Sequence, residues 1–479
     1  MASLSARIRS LPERHGRVTL ILLAAIIVLG FGLRAYRVVE PLGTPGDDAH
    51  AYYALSKALY EEGSYGGPEF EDASDWSPGA PLLYAASFYA TGGAREGTAR
   101  IVELLLGIAA IVVVYLLGRR LNCAPAGLLA ALGVAAYPPF IHSTGALFSE
   151  PPALFTLPAA ILAFLWASDE GPTVARAGPV AGQGSSSSQA AGEDPRPRAT
   201  RPAKWLIPGL LLGVTAMIRP EYLIVGIAFV VLAAIRVRRE RGWQDAGVAV
   251  ALLLVAFVTP IVPWAIRNEV VLDRTVPIST GGGKALYAGT FLPADGEYQR
   301  VKAILVRRYL HRDLEPGSEA LDRIDPTPLF DRVAARYPDL PRDSALGKIG
   351  KQNFSKFFDE DPAGYAAMTV RKIGRMWSSG LGEAMSSTVG RVIQVLIVLA
   401  GLAGLGVLGW RRRWWEAVVM ATPLVLVTAV GAVSLAAPRR NEVLMTLVFP
   451  LAGTALARAG GAVLSSGRWS SPRTSSPPS

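Results

Sequence analysis

The sequence is poor in the residues from which most soluble catalytic and metal centres are built. Cys123 is the only cysteine in 479 residues, which excludes an intramolecular disulfide and, in effect, any cysteine-based zinc or iron–sulfur site. There are only four histidines and no His-Glu-x-x-His stretch, so nothing supports a membrane zinc protease. No serine stands in a nucleophile-elbow context. The stretch "STGGGKALYAG" contains Gly-Gly-Gly-Lys, but it lacks the earlier glycine of a nucleotide-binding loop and has Ala285 where that loop needs Ser or Thr. Charged residues make up only 18% of the chain. The formal net charge of +10 could suggest nucleic acid, but the basic residues gather at the ends of apolar runs and form no stripe interleaved with aromatics, so no nucleic-acid partner is expected.

What is abundant is apolar. Hydrophobic residues reach 51%, and runs long enough for the roughly 30 Å hydrocarbon core occur near 18–38, 98–118, 124–141, 147–167, 245–266, 391–410, 414–435 and 441–463. Two shorter runs, 205–218 and 220–237, form a pair about Arg219-Pro220. This pattern predicts an all-α polytopic membrane protein of about ten transmembrane helices, with interfacial helices on its outer face and a mostly helical extracytoplasmic segment. Arg7, Arg9, Arg14 and Arg17 precede the first run, and no small-x-small cleavage site occurs before Arg34, so an uncleaved first span is expected.

Short cytoplasmic loops retain Lys and Arg. With the amino terminus inside, Arg119-Arg120, "RVRRERG" at 236–242, "RRR" at 411–413, Arg468 and Arg473 all fall in the cytoplasm. This holds if "PGAPLLYAASFYATGG" (78–93), short and proline-led, lies on the outer surface as an interfacial helix. The expected organisation is an N-terminal transmembrane module (1–167) with a first outer loop at 39–97, a disordered cytoplasmic insert rich in Gly, Pro, Ser and Ala (168–204), and transmembrane helices at 205–267. An extracytoplasmic segment (268–390), C-terminal transmembrane helices (391–463) and a disordered cytoplasmic tail (464–479) follow. No internal repeat is visible, which weighs against a transporter built from inverted repeats.

The informative charges are those on the outer side. Arg219, Arg267, Lys284, Arg439 and Arg440 sit at the outer ends of spans, and guanidinium groups at one membrane depth need anionic partners. A lipid-borne phosphate would satisfy them; the alternative is snorkelling or pairing with Glu221, Glu269 or Glu442. Asp47 and Asp48 open an amphipathic helix after Pro45-Gly46. Capping accounts for one of them. A second carboxylate, with His50 and Tyr53 nearby, suits a general base toward a hydroxyl. A divalent cation shared by Asp47, Asp48 and His50 is the other reading, with no further metal ligand in sight. Glu150 in "ALFSEPPALF" either favours the positive end of its helix or orients a substrate, and Trp76 in "DWSPGAPLL" either anchors in headgroups or stacks on a sugar.

In order along the chain, "PGDDAHAYYALSKALYEEG", "SPGAPLLYAASFYATGG", "ARIVELLLGIAAIVVVYLLGRRL", "LFSEPPALF", "IRPEYL" and "PWAIRN" with "VPISTGGGKALYAG" resemble a bacterial membrane glycosyltransferase of the C superfamily, of the protein O-mannosyltransferase and lipid A aminoarabinose transferase type. The resemblance runs from residue 18 to about 290, with weaker support from "APRRNEVLMTLVFP". It implies an inverting transferase at the outer face of a bacterial plasma membrane, taking a sugar from a polyprenyl-phosphate donor to a glycan, lipid or protein acceptor without a nucleotide. In such enzymes the first outer loop holds an Asp-Glu pair that falls on Asp47 and Asp48, with Asp47 as the base candidate and Asp in place of the second residue's usual Glu. The resemblance also places Glu150 as a positioning acid and Arg219, Arg267, Lys284 and Arg439 as candidates for the lipid phosphate; Asn268 beside Arg267, and Glu221 and Arg440, complete the substrate-binding set. Two rival readings are a transporter or flippase of polyprenyl-linked sugars and a non-catalytic subunit of an envelope complex.

Overall fold

A computed structural model describes residues 2–40, 47–66, 70, 73–169 and 202–466, without the side chains of 2–15, 47, 383 and 461–466. The insert expected at 168–204 and the tail expected at 464–479 lie largely outside these residues. Every described regular element is helical, as expected. The first half comprises α1 (Ala2–Val39), α2 (Asp47–Glu61), α3 (Gly79–Thr91), α4 (Glu96–Leu121), α5 (Ala124–Ala136), α6 (Pro138–Ser143) and α7 (Glu150–Ser168). After the insert come α8 (Leu206–Ile218), α9 (Leu223–Arg241), α10 (Trp243–Val258) and α11 (Ile261–Leu272). A helical cap follows: α12 (Gly282–Thr290), α13 (Tyr298–Leu310), α14 (Glu319–Asp322), α15 (Thr327–Ala334), α16 (Arg342–Glu360), α17 (Pro362–Ser378) and α18 (Glu383–Ser386). The chain returns through α19 (Thr388–Trp410), α20 (Trp414–Val433) and α21 (Arg439–Ser466).

Among the described residues, seven helices are long and apolar enough to cross a membrane, or eight when α10 and α11, bent by 45° at Thr259-Pro260, count as one span. The other two of the ten expected runs are shorter apolar helices, Ala124–Ala136 and Pro202–Ile218. α7 and α21 are central, with 72% and 67% of their apolar windows buried, whereas α1 is peripheral at 11%. Exposed Leu20, Ile21, Val28, Leu105, Val255 and Leu402 on the outer helices would be costly in water and suit a lipid surface.

The run expected at 124–141 breaks at Tyr137, for a reason written in the chain. Pro138 and Pro139 have no N–H to give to the carbonyls of Val134 and Ala135, one helical turn earlier. Arg34 of α1, 1% exposed, supplies the missing donors at 2.8 and 3.0 Å, and so ties α1 to the end of α5. α4 and α5 approach closely at Gly118 and Gly127, where an added Cβ at Gly127 would lie 2.5 Å from the Tyr115 carbonyl oxygen. The cap has its own core of Tyr287, Val301, Leu305, Phe330, Leu346 and Ile349. α3, the helix expected to be interfacial, packs on α2 through Tyr52, Tyr84 and Phe88.

Candidate active site

Four helix ends converge at one end of the bundle. α2 opens with Asp47 and Asp48; α7 opens with Glu150, kept at its first turn by Pro151 and Pro152. α8 stops before Arg219, whose extended backbone (φ −140°, ψ 104°) is what a following proline favours. α21 opens with Arg439 and Arg440 directly after Pro438.

Glu150, with no exposed side-chain area, is the hub. It accepts a hydrogen bond from Arg219 Nη1 at 2.6 Å, and Arg439 donates to it through Nε and, at 2.9 Å, through Nη2. Arg439 Nη1 reaches Asp48 Oδ2, and its guanidinium lies 4.8 Å from the centre of the Phe148 ring. Arg219 Nε donates to Glu221 at 2.9 Å. A carboxylate buried this deeply stays charged because two guanidinium groups face it, and removing either leaves an unpaired buried charge.

This network floors a cavity of about 590 Å³, within the range of small-ligand sites. Tyr52 and Asp48 line one side, Asp75 and Trp76 another, and Lys284 at the start of α12 a third, with Arg219, Glu221, Arg439 and Arg440 completing the wall. Arg440 donates to Ser434 Oγ at 3.1 Å; Arg440 and Lys284 form no ion pair among the described residues. Lys284 is fixed from the cap: Asp343 of α16 accepts from the Gly283 and Lys284 amides at 2.8 and 3.2 Å. Burial pushes the Asp343 carboxyl up, the amides that it accepts from work against this, and Asp75 nearby adds to the rise. Burial also raises the Tyr52 phenol, against the pull of Arg439.

The structure therefore brings together Asp48, Trp76, Glu150, Arg219, Glu221, Lys284, Arg439 and Arg440 of the predicted set. The side chain of Asp47 lies outside the described residues. His50 is exposed on α2 and does not line the cavity. Tyr53 donates to the Ala94 carbonyl at 3.1 Å and meets Phe88 edge to face, which packs α2 on α3. Arg267 also stands away from the cavity: it donates to the Tyr65 carbonyl at 2.8 Å and lies over the rings of Tyr65 and Trp264. Asn268, 1% exposed, holds the Val276 and Ile278 carbonyls at 2.9 and 3.2 Å. The cation reading rests in part on the Asp47 side chain, outside the described residues; Asp48 is paired to Arg439, and no group of three His, Cys, Asp or Glu suited to a metal occurs among the described residues.

Sequence reasoning missed Asp75. Its Oδ1 accepts from Thr280 Oγ1 at 2.5 Å and its Oδ2 from Arg342 at 2.6 Å, which closes the cavity rim between the α2–α3 connection and the cap. The only signal was an acid beside Trp76 in "SDWSPG".

No protein-family model matches the chain, and no curated protein matches it. Among solved structures it is similar to the oligosaccharyltransferase AglB of the archaeon Archaeoglobus fulgidus, in complex with an inhibitory peptide and a dolichol-phosphate, with a TM-score of 0.53 and 12% identity over 95% of this chain and 52% of AglB. ArnT from Cupriavidus metallidurans bound to undecaprenyl phosphate aligns at 16% identity over 96% of this chain and 81% of ArnT, with a TM-score of 0.37, too low to bear on the fold. The chain spans about half the length of AglB. What the residues and this likeness establish together is the fold: an all-α polytopic membrane chain whose helical arrangement is similar to that of about half of AglB.

Proposed function

We propose that the chain is an inverting glycosyltransferase that moves a sugar from a polyprenyl-phosphate donor to an acceptor at the outer face of a bacterial plasma membrane. The observation that carries this reading is the meeting of Asp48, Glu150, Arg219 and Arg439, up to 391 residues apart, at the floor of one cavity. Arginine has the fork geometry to clasp a phosphate, and Lys284 and Arg440 add positive charge to the cavity lining. Such a cavity has little use for an apolar solute.

The chemistry follows from these groups. The acceptor oxygen attacks the anomeric carbon as the bond from that carbon to the phosphate oxygen breaks; the acceptor proton passes to a carboxylate, and the electron pair leaves with polyprenyl phosphate. Asp47 is the base in this reading, and Asp48 beside it sets Arg439. Arg439, Arg219 and Lys284 stabilise the charge that grows on the departing phosphate. The arginines gathered at the opposite end of the bundle, Arg119, Arg120, Arg236 and Arg411 to Arg413, support the outward orientation, because short cytoplasmic loops retain positive charge.

The test uses purified protein in nanodiscs with a panel of polyprenyl-phosphate sugars. Release of polyprenyl phosphate by the wild type, and its loss in a folded Asp47→Asn variant, is the expected result. Equal release by the variant would remove Asp47 as the base, and no release by either protein with any sugar and acceptor would sink the transferase reading.

A further inference from the structure

Beyond the first cavity, across a short strip of backbone, lies a second of about 410 Å³. The strip is the non-helical link between α20 and α21, Ser434 to Pro438. Ser434 and Arg439 face the first cavity, Leu435, Ala436 and Pro438 face the second, and Ala437 borders both. The partition is fixed at each end. Before it, Lys372 of α17, fully buried, donates to the Ala432 and Gly289 carbonyls at 2.9 and 2.8 Å. After it, Asn441 donates to the Ser379 carbonyl at 2.8 Å and to that of Met376. Gly289 admits the strip, since a Cβ there would lie 2.1 Å from the Ser434 carbonyl carbon.

The remaining walls of the second cavity are polar but nearly charge-balanced. Arg375 is bound to Asp295 through its side chain and, at 2.6 Å, its carbonyl; Glu297 pairs with Arg300 at 2.9 Å. This leaves the hydroxyl of Ser378, the hydroxyl oxygens of Ser379 and Ser386 as acceptors, since they donate to the Arg375 and Gly382 carbonyls at 3.0 and 3.2 Å, the amide of Gln299, the ring of Tyr298, stacked on Phe330, and the exposed Arg391, whose Nε is held by the Ser386 carbonyl at 3.1 Å. Gln299 Nε2 is engaged with Asp322 at 2.8 Å, while its Oε1 is buried with no hydrogen-bond partner, an acceptor set for a donor. With Arg375 already neutralised, a phosphate has one cation to bind here, against the several of the first cavity. A lipid tail would meet apolar side chains mainly on the strip. A peptide that binds by adding to a strand edge finds none among the described residues. Hydroxyls, an amide, an aromatic ring and a lone guanidinium match the alternating donors and acceptors of a sugar.

We propose that this second cavity is a saccharide site, and that it holds the acceptor as a glycan whose reacting hydroxyl meets the donor at the Ala437 boundary. The assignment of that saccharide as acceptor rests on the glycosyltransferase reading; the saccharide site itself does not.

Two experiments separate them. Full-length protein in nanodiscs, without donor, is titrated with soluble oligosaccharides by saturation-transfer NMR, for the wild type, Ser386→Trp and Arg391→Ala. Both positions are exposed and lie outside the first cavity, so the fold is expected to survive, as checked by thermal melting. Saccharide signals in the wild type that fade in Ser386→Trp and weaken in Arg391→Ala are expected; no signal, or signals equal in all three proteins, overturns the site. With donor present, the acceptor KM should rise roughly tenfold in Arg391→Ala, as befits loss of a charge-assisted hydrogen bond, while the donor KM and transfer to water stay unchanged. Transfer with an unchanged acceptor KM in both variants would refute the acceptor role and leave the function standing. Saccharide binding without consumption of any donor would retain the site and refute the function.

Discussion

The two ends of this helical bundle use arginine in opposite ways. At the Arg120 end, Arg119 and Arg120 stand in the last turn of α4 and Arg238 in that of α9, where the helix dipole favours a cation. Arg413, just before α20, gives its protons to the carbonyls of Leu121 and Arg120 and to the partly exposed Glu416 at 2.5 Å, Arg411 to Asn122 at 2.7 Å, and Arg120 to the half-exposed Asp169 at 2.6 Å; no buried acid among the described residues holds any of them. Arg238 lies over Trp243 at 4.0 Å. At the Glu150 end, Arg439 stands in the first turn of α21, where the dipole opposes it, and carboxylates hold it there. A cation kept at an unfavourable helix end by buried acids is a placement that stability alone does not ask for, and an anionic substrate gives it a purpose.

Breaking the comparison at its hub should give the largest effect. Glu150→Gln leaves Arg219 and Arg439 facing one another without their buried counter-charge, at a cost of about 3–5 kcal/mol. Thermal unfolding in detergent should show a markedly lower Tm, with transfer reduced by about a hundredfold or more. Arg439→Lys keeps the charge and loses the fork; turnover at saturating donor should fall roughly 10- to 100-fold with the fold intact. At the opposite end, Arg120→Ala removes an exposed pair worth about 0–1 kcal/mol, and transfer should stay at the wild-type rate.

The smallest effect is a slope. Burial, with Arg440 and Arg375 adding to it, lowers the Lys372 ammonium from 10.5 to about 8. Between those values the unfolded chain binds more protons than the folded one, so stability rises with pH from about 8 toward 10.5, and folding carries the cost of charging this lysine below about 8. Chemical denaturation across that window should show the rise in the wild type and a flatter profile in Lys372→Met. The neutral amine keeps two N–H groups for its two carbonyls, so the partition beside it need not open as the lysine discharges.

Much of this was legible in the chain. Apolar runs marked the spans, and ordering the outer charges by span end brought Asp48, Glu150, Arg219 and Arg439 into one predicted set before any contact was known. Helix direction is a strong constraint: a residue at the outer end of a span can meet only others at that level. Lateral position is not so constrained, and there the reading failed. Arg267, assigned to the same set, turns to Tyr65 and Trp264 instead of the cavity. Asp75 pairs with Arg342, 267 positions away on a cap helix whose packing no periodicity reveals. The break at Tyr137 was written in Pro138-Pro139, but its partner Arg34 could be found only once α1 lay beside α5.

The most direct test of the difference between the two ends is the affinity of polyprenyl phosphate for protein in nanodiscs, compared between Arg439→Ala and Arg413→Ala. The account predicts binding weakened roughly tenfold or more by Arg439→Ala and unchanged by Arg413→Ala. Equal affinities in the two variants, or a loss confined to Arg413→Ala, would contradict it.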